Sequence, residues 1–539
     1  MRNILRFTED NLHRAALFCL YLFLFFCNFL WLKLDKFPLL WDAGTYYLES
    51  LKLFDLFRVP SFNSLLEAAK LGAQYPPLVP VLVSMSYLVL PRTEDSAVLA
   101  AGTIFIGILI FSVYGIARIL YDRKAGVLAA FLITMYPLIF GHSRVLMYDL
   151  PLAAMVSLAV FLFLKSVNFR DTRYSLTFGA VVGLGLLTKF SFPLFICSAL
   201  AVKIIGNFSL AVRHGIKGNA LQARNLFWAM AISIALASLW YIPNCNRFAY
   251  AIFIYPGTCN AGFPPVFSLA SFLYYFFSLI NIQLSFFLFL VFVAGFFMYK
   301  RLKMENWLIP VCWVLFSYLG CMLVRYKSPR YTIAYLPAVA IISAIGLMSI
   351  RDKRARALVL SGIVIVSLVQ FLAYSFGLQF LPRRLEIKLQ NRLIAALRVN
   401  SIVLFNQYGG ENPLEENICL RPGDWKTDDI LDAISEVVGN TVQANIFIIP
   451  EDPRLHSPLV SLMYLRKAPH YFYQSSLEDI SAQKRDIVIT KEGAWLSPPN
   501  FASQINRSVK WFERNKGDFE LSRKISLPDG SYLLMYKHK

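Results

Sequence analysis

Long apolar runs alternate with short basic stretches along the first 380 residues. Runs long enough to cross about 30 Å of hydrocarbon as helix fall at 15–34, 96–117, 125–141, 150–167, 175–188, 190–206, 225–242, 282–299, 307–324, 331–350 and 357–378. They predict a polytopic α-helical membrane protein with about 11 transmembrane helices. The run 78–90 is opened by Pro76, Pro77 and Pro80 and closed by Pro91, which leaves too few residues to span, so it reads as an interfacial helix. Ahead of it, Tyr47, Leu48, Leu51 and Phe54 recur at helical spacing among Glu49, Lys52 and Asp55, as in a helix lying in the interface plane.

Hydropathy falls from about residue 385, and strand-like runs follow at 401–405, 445–449, 486–490 and 531–536. Between the first two lies a helix with Thr427 as cap, Asp428 and Asp429 in its first turn, Ile430, Ile434 and Val437 on one face, and Gly439-Asn440 as its stop. The chain therefore divides into a membrane module, 1–380, and a C-terminal soluble α/β domain, 385–539.

Composition agrees: 57% of the 539 residues are hydrophobic and only 16% charged, which excludes an ordinary soluble globule. The net charge of +20 raises the question of a nucleic-acid patch, but the basic residues flank spans instead. Arg118/Arg123/Lys124, Lys165/Arg170/Arg173, Lys203/Arg213/Lys217/Arg224, Lys300/Arg301/Lys303 and Arg351/Lys353/Arg354/Arg356 all fall on one side if 78–90 does not cross. With the N-terminus, this gives about 20 basic residues inside against about 11 outside, the asymmetry of a correct topology. Counting 78–90 as a span would invert every later loop. Arg2, Arg6 and Arg14 before Ala15–Leu34 then read as a retained signal anchor with a cytoplasmic N-terminus, and an odd span count puts the C-terminal domain outside. The compact outer domain points to a prokaryotic plasma membrane.

Four segments lie on the outer face: 35–95, 142–149, 243–267 and 325–330. Cys245 and Cys259 bracket the third, where an oxidising compartment would favour a disulfide, although two free thiols fit the sequence equally well. The first two segments carry Asp42 and Asp149, ionisable groups at the ends of spans and so functional candidates by default. Gly183-Leu-Gly185-Leu-Leu-Thr188-Lys189 lies within an apolar run, not between a strand and a soluble helix, so it is no nucleotide loop. His142 and His456 are lone histidines and carry no assignment.

Five motifs stand in order: Trp41-Asp42-Ala43-Gly44-Thr45-Tyr46-Tyr47; Gln74-Tyr75-Pro76-Pro77-Leu78; Arg144-Val-Leu-Met-Tyr-Asp149-Leu-Pro151; Gly185-Leu-Leu-Thr188-Lys189; and Ser328-Pro329-Arg330-Tyr331 with Pro337. Together, over roughly residues 15–350, they resemble the GT-C membrane glycosyltransferases of the protein O-mannosyltransferase and lipid A aminoarabinose transferase (ArnT-like) group. The resemblance implies an inverting glycosyltransferase that moves a sugar from a polyprenyl-phosphate donor to a lipid, glycan or protein acceptor on the outer face. It implies Asp42 as the base that deprotonates or orients the acceptor, and Asp149 as the second-loop acid. Lys189 and Arg330 match the family's cations, with Tyr46, Tyr47 and Tyr331 beside them as further substrate-binding candidates. Many members have Glu where this chain has Ala43, which leaves use of a divalent metal open. Many have Lys where this chain has Tyr75, which leaves one phosphate contact to Lys70.

The chemistry fits on independent grounds. Displacing a lipid phosphate from an anomeric carbon needs a carboxylate near the nucleophile and cations near the departing phosphate. Plainer readings stand beside these: Asp42 and Asp149 as helix caps, Lys189 snorkelling to headgroups, Arg330 and Tyr331 as interfacial anchors. Two other function classes also remain. A transporter or flippase would need polar groups near the midplane, and a non-catalytic assembly scaffold would not depend on the acids.

Overall fold

A computed structural model describes residues 2–39, 41–71, 75–214, 220–250, 264–302, 304 and 306–376, and then 384–389, 392–398, 401–404, 423–438, 444–449, 460, 463, 471–473, 487–492 and 502–539. The helical part runs α1 (Arg2–Leu34), α2 (Trp41–Arg58), α3 (Phe62–Lys70), α4 (Leu78–Ser86), α5 (Glu94–Leu120), α6 (Arg123–Met135), α7 (Pro137–His142), α8 (Asp149–Lys165), α9 (Thr172–Leu186), α10 (Phe192–His214), α11 (Ala220–Tyr241) and α12 (Cys245–Ala249). It continues with α13 (Leu269–Ser278), a π-turn (Leu279–Gln283), α14 (Phe286–Tyr299), α15 (Leu308–Met322), a 3₁₀ turn (Pro329–Tyr335), α16 (Leu336–Met348) and α17 (Lys353–Phe376).

Every apolar window of the sequence holds helix, but few are single uninterrupted spans. Among the described residues, five helices are long and apolar enough to cross a membrane alone, six if a bent pair counts as one. The reason is local. Pro137 enters at the first position of α7 and breaks the window 125–141 after Met135, and α8, α9 and α15 are only 17, 15 and 15 residues long. The largest departure is at 282–299. An additional helix, α13, precedes this window, and the chain bends by 112° before α14. The run 78–90 holds only the nine-residue α4, too short to cross.

Short polar side chains set the helix starts: Thr93, Asp122, Asp171 and Ser268 accept hydrogen bonds from Ser96, Ala125, Tyr174 and Ser271 backbone N–H groups. The centre of the bundle is α16, buried along its whole length. It approaches α14 so closely that a Cβ on Gly346 would strike the Gly295 carbonyl.

The two ends of the bundle differ in charge. The Lys33–Asp95 ion pair at 3.2 Å sets the end of α1 beside the start of α5. Arg144 donates to Asn28 of α1 and to Ser375 of α17, each at 2.9 Å, which brings the end of α17 beside the last turns of α1, and Tyr241 donates to the Leu186 carbonyl at 3.0 Å, which joins the ends of α9 and α11. At the other end Asn225 donates to the Phe169 carbonyl at 2.9 Å, beside Lys165, Arg170 and Arg173. The basic 165–173 turn therefore lies at the far end of α8 and α9 from Asp149 and Lys189.

The C-terminal domain contains an antiparallel three-stranded sheet, β1 (Arg384–Leu389), β2 (Arg392–Arg398) and β3 (Ser401–Leu404). It also contains α18 (Thr427–Val438), β4 (Ala444–Ile448), β5 (Tyr471–Tyr473), β6 (Ile487–Lys491), α19 (Ala502–Asn515), β7 (Phe519–Ser526) and β8 (Tyr532–His538). The second sheet is ordered β5-β4-β6-β8-β7, parallel among β4, β5 and β6 and antiparallel where β8 joins. Alternation sorts its two faces. Ile446, Ile448, Ile487, Ile489, Leu533 and Met535 pack with Ile430 and Ile434 of α18, whereas Phe447, Val488 and Tyr536 pack with Phe512 of α19. Phe37, between α1 and α2, reaches into the first of these cores, its ring 6.1 Å from that of Trp425. Cys259 lies outside the described residues, and the Cys245–Cys259 expectation with it.

Candidate active site

Four breaks in the helical bundle converge on one cluster. Asp42 stands in the first turn of α2 and Asp149 in that of α8. Lys189 occupies the break between α9 and α10, where Gly185 lies so near the Phe192 ring that a Cβ would collide with it. Arg330 is carried by the 3₁₀ turn.

These groups form two ion pairs of different character. Lys189 Nζ meets Asp149 Oδ1 at 2.6 Å, with side chains 9% and 2% exposed. Arg330 Nη2 stands 3.4 Å from Asp42 Oδ2, with side chains 15% and 28% exposed. Tyr331 joins the pairs: its ring lies 5.1 Å from Lys189 Nζ and 5.6 Å from the Arg330 guanidinium. Lys189 also lies 5.5 Å from the Tyr75 ring.

An aromatic wall backs the charges. Tyr46 and Tyr148 meet edge to face at 4.3 Å, and Tyr75 lies 5.4 Å from Tyr148 and 5.4 Å from Phe190. Burial first, and then the charge of Asp42, raise the Tyr46 phenol well above its ordinary value, so it stays a neutral hydroxyl. His142 is buried as well, and neither of its ring nitrogens has a hydrogen-bond partner among the described residues. Burial pushes its imidazole down to about 4. The loop entering the 3₁₀ turn is fixed by Lys327, which donates to the carbonyls of Met322 at 2.9 Å and of Cys321 and Val324 at the end of α15.

Asp42, Asp149, Tyr46, Lys189, Arg330 and Tyr331 are thus brought together. Tyr47 and Lys70 are not. The Tyr47 hydroxyl turns the other way and donates to the Arg92 carbonyl at 2.9 Å. Lys70 lines a separate cleft of about 520 Å³ with Lys52, Asp55, Leu56, Glu67 and Leu71. The sequence also left out members of the cluster. Met147 accepts a 3.7 Å contact from Arg330 Nη1, and Tyr148, Tyr75 and His142 pack around the charges. The available signal was their position, since Met147 and Tyr148 directly precede Asp149.

Among the described residues no group of three or more His, Cys, Asp or Glu side chains could hold a metal ion. Asp42 and Asp149 each face a cation instead of each other, so this donor set does not fit a divalent metal.

Comparisons relate the overall fold to known proteins. Residues 74–242 match the family model described as dolichyl-phosphate-mannose-protein mannosyltransferase. The crystal structure of ArnT from Cupriavidus metallidurans bound to undecaprenyl phosphate is similar over 97% of both chains, with TM-score 0.60 and 13% identity. The apo state of the same protein is similar over 98% of both chains, with TM-score 0.58 and 13% identity. The oligosaccharyltransferase AglB from Archaeoglobus fulgidus, in complex with an inhibitory peptide and a dolichol-phosphate, gives TM-score 0.43 at 14% identity over 68% of this chain and 54% of that one. Comparison with curated proteins by sequence gave no match. The chain is an integral membrane protein with the fold of the GT-C glycosyltransferases. Its overall fold is similar to that of ArnT over nearly the whole of both chains.

Proposed function

We propose that this chain is a membrane glycosyltransferase that moves a sugar from a polyprenyl phosphate to a lipid, glycan or protein acceptor on the extracytoplasmic face. The observation that carries the reading is the state of Arg330. Among the described residues its guanidinium has a 3.4 Å pairing with Asp42, a contact to the Met147 thioether and the ring of Tyr331 at 5.6 Å. Its Nε is buried without a hydrogen-bond partner among the described residues. A partly buried guanidinium with a buried donor left unmatched is costly, and an oxyanion of a phosphate is the natural acceptor for it. Lys189, also beside the Tyr331 ring, supplies a second positive charge. The basic turns at the opposite end of the bundle support a cytoplasmic N-terminus and an extracytoplasmic site.

In this reading the acceptor hydroxyl attacks the anomeric carbon while Asp42, the more exposed carboxylate, takes its proton. The bond from that carbon to the phosphate oxygen breaks, and its electron pair leaves on the polyprenyl phosphate. Arg330 and Lys189 stabilise that charge, and displacement from the opposite face inverts the anomeric centre. Asp149, buried against Lys189 at 2.6 Å, orients that lysine and takes no proton itself. Extraction of lipids from cells lacking the protein tests the reading: one polyprenyl-phosphate sugar should accumulate. An unchanged pool of such lipids would overturn it.

A further inference from the structure

The 3₁₀ turn that carries Arg330 is tied to the bundle by Gln283, a side chain with no exposed surface. The Gln283 amide nitrogen donates to the Pro329 carbonyl at 3.1 Å and to the Thr332 hydroxyl at 2.6 Å. Its amide oxygen accepts from the Tyr335 hydroxyl at 3.0 Å. Thr332 in turn donates to the Pro329 carbonyl at 3.0 Å. All three Gln283 bonds thus fall on residues that bracket Arg330 in the chain.

The backbone is built to deliver this side chain. Leu279–Gln283 winds as a π-turn, which shifts the side chains after it around the helix axis relative to an uninterrupted α-helix. Ser285 follows at φ 70°, its hydroxyl 3.0 Å from Gln370 Oε1 on α17, and the chain then bends by 112° into α14. A residue such as serine adopts that backbone region only when the surroundings hold it there. A primary amide in apolar surroundings is costly unless bonded, so the network is stable only when complete.

We propose that Gln283 is a positioning residue for phosphate recognition: by bracketing the Pro329–Tyr335 turn it holds the Arg330 guanidinium against Asp42 and Tyr331, and so sets the affinity for polyprenyl phosphate. The inference rests on the reading of Arg330 as a phosphate-binding group. If Gln283 served stability alone, its loss would act independently of Arg330.

The test is a double-mutant cycle on full-length protein in nanodiscs, with binding of undecaprenyl phosphate as the readout. Gln283→Leu is expected to weaken binding by about tenfold, the scale of a modest misplacement of a contact group. The milder Thr332→Val, which removes one hydroxyl at nearly constant volume, should weaken it by about threefold and decides the matter if Gln283→Leu does not fold. Neither change should weaken binding further in an Arg330→Ala background. Additive losses in that background would overturn the proposal, as would wild-type affinity in both variants while Arg330→Ala binds weakly. Wild-type affinity in Arg330→Ala itself would sink the underlying reading of Arg330, and this proposal with it.

Discussion

The two ion pairs of the site use the same kinds of groups and are built in opposite ways. Asp149 and Lys189 are sealed between α8, α9 and α10 at 2.6 Å, with almost no exposed surface. Asp42 and Arg330 meet at 3.4 Å, both partly exposed, and the arginine keeps a donor unused among the described residues. A short, dry pair is matched to itself, so it mainly holds position and lends the site the charge of its lysine. A long, open pair has capacity left for a ligand. On the proposed reading, the contrast separates the pair that supports the site from the pair that meets substrate.

The comparison can be broken first at the buried pair. Asp149→Asn strands the Lys189 charge among apolar neighbours, and the cost of breaking such a pair is about 3–5 kcal/mol. Thermal melting in detergent should show a large loss. The double change Asp149→Leu with Lys189→Met should recover most of it, because removing both charges leaves nothing unpaired. Melting of the single variant at the wild-type temperature would contradict the supporting role.

A smaller effect is expected at the open pair. Arg330→Ala should leave the melting temperature nearly unchanged, since partly exposed pairs contribute little to stability. It should weaken undecaprenyl phosphate binding by about tenfold or more through loss of charge-assisted contacts. A large drop in melting temperature with normal binding would reverse the assignment of the two pairs.

The smallest effect concerns the C-terminal domain, which has a pair of its own. Lys491 Nζ lies 2.8 Å from Asp529 Oδ2. Burial acts to raise the Asp529 carboxyl, but hydrogen bonds from Lys491 and Ser531 outweigh it and hold the group down at about 2. A carboxyl lowered by folding stabilises at pH above its ordinary value of about 4 and loses that contribution as pH falls towards the folded value. Protection of the β6 and β8 amides, relative to their intrinsic exchange rate at each pH, should therefore fall between about pH 4 and 2, and Asp529→Asn should flatten that dependence. An unchanged slope in the variant would contradict the assignment.

Much of this arrangement is legible in the sequence, for a physical reason. Hydrocarbon demands long apolar runs, so helix positions are written directly, and a charge at the end of such a run stands out. The misses follow from what one chain segment cannot display. Tyr46 and Tyr47 are adjacent and alike, yet a helix turns them about 100° apart, so that one joins the aromatic wall and the other bonds the Arg92 carbonyl. Residues 269–299 are apolar almost throughout, and the break within them is fixed by tertiary bonds from Gln283 and Ser285. Lys70 has the right charge and lies in the right loop, but α3 presents it to a different cleft. The alternation of the C-terminal strands was readable, whereas the parallel neighbours of β4 are set by distant partners.

The central claim is that Asp42 and Arg330 divide the work, the carboxylate taking the acceptor proton and the guanidinium holding the phosphate. Turnover and undecaprenyl phosphate affinity measured together on Asp42→Asn test it most directly, because the amide keeps the shape and removes the proton acceptor. The account predicts a fall in turnover of about 10²-fold or more with affinity little changed. Wild-type turnover in well-folded Asp42→Asn would contradict it.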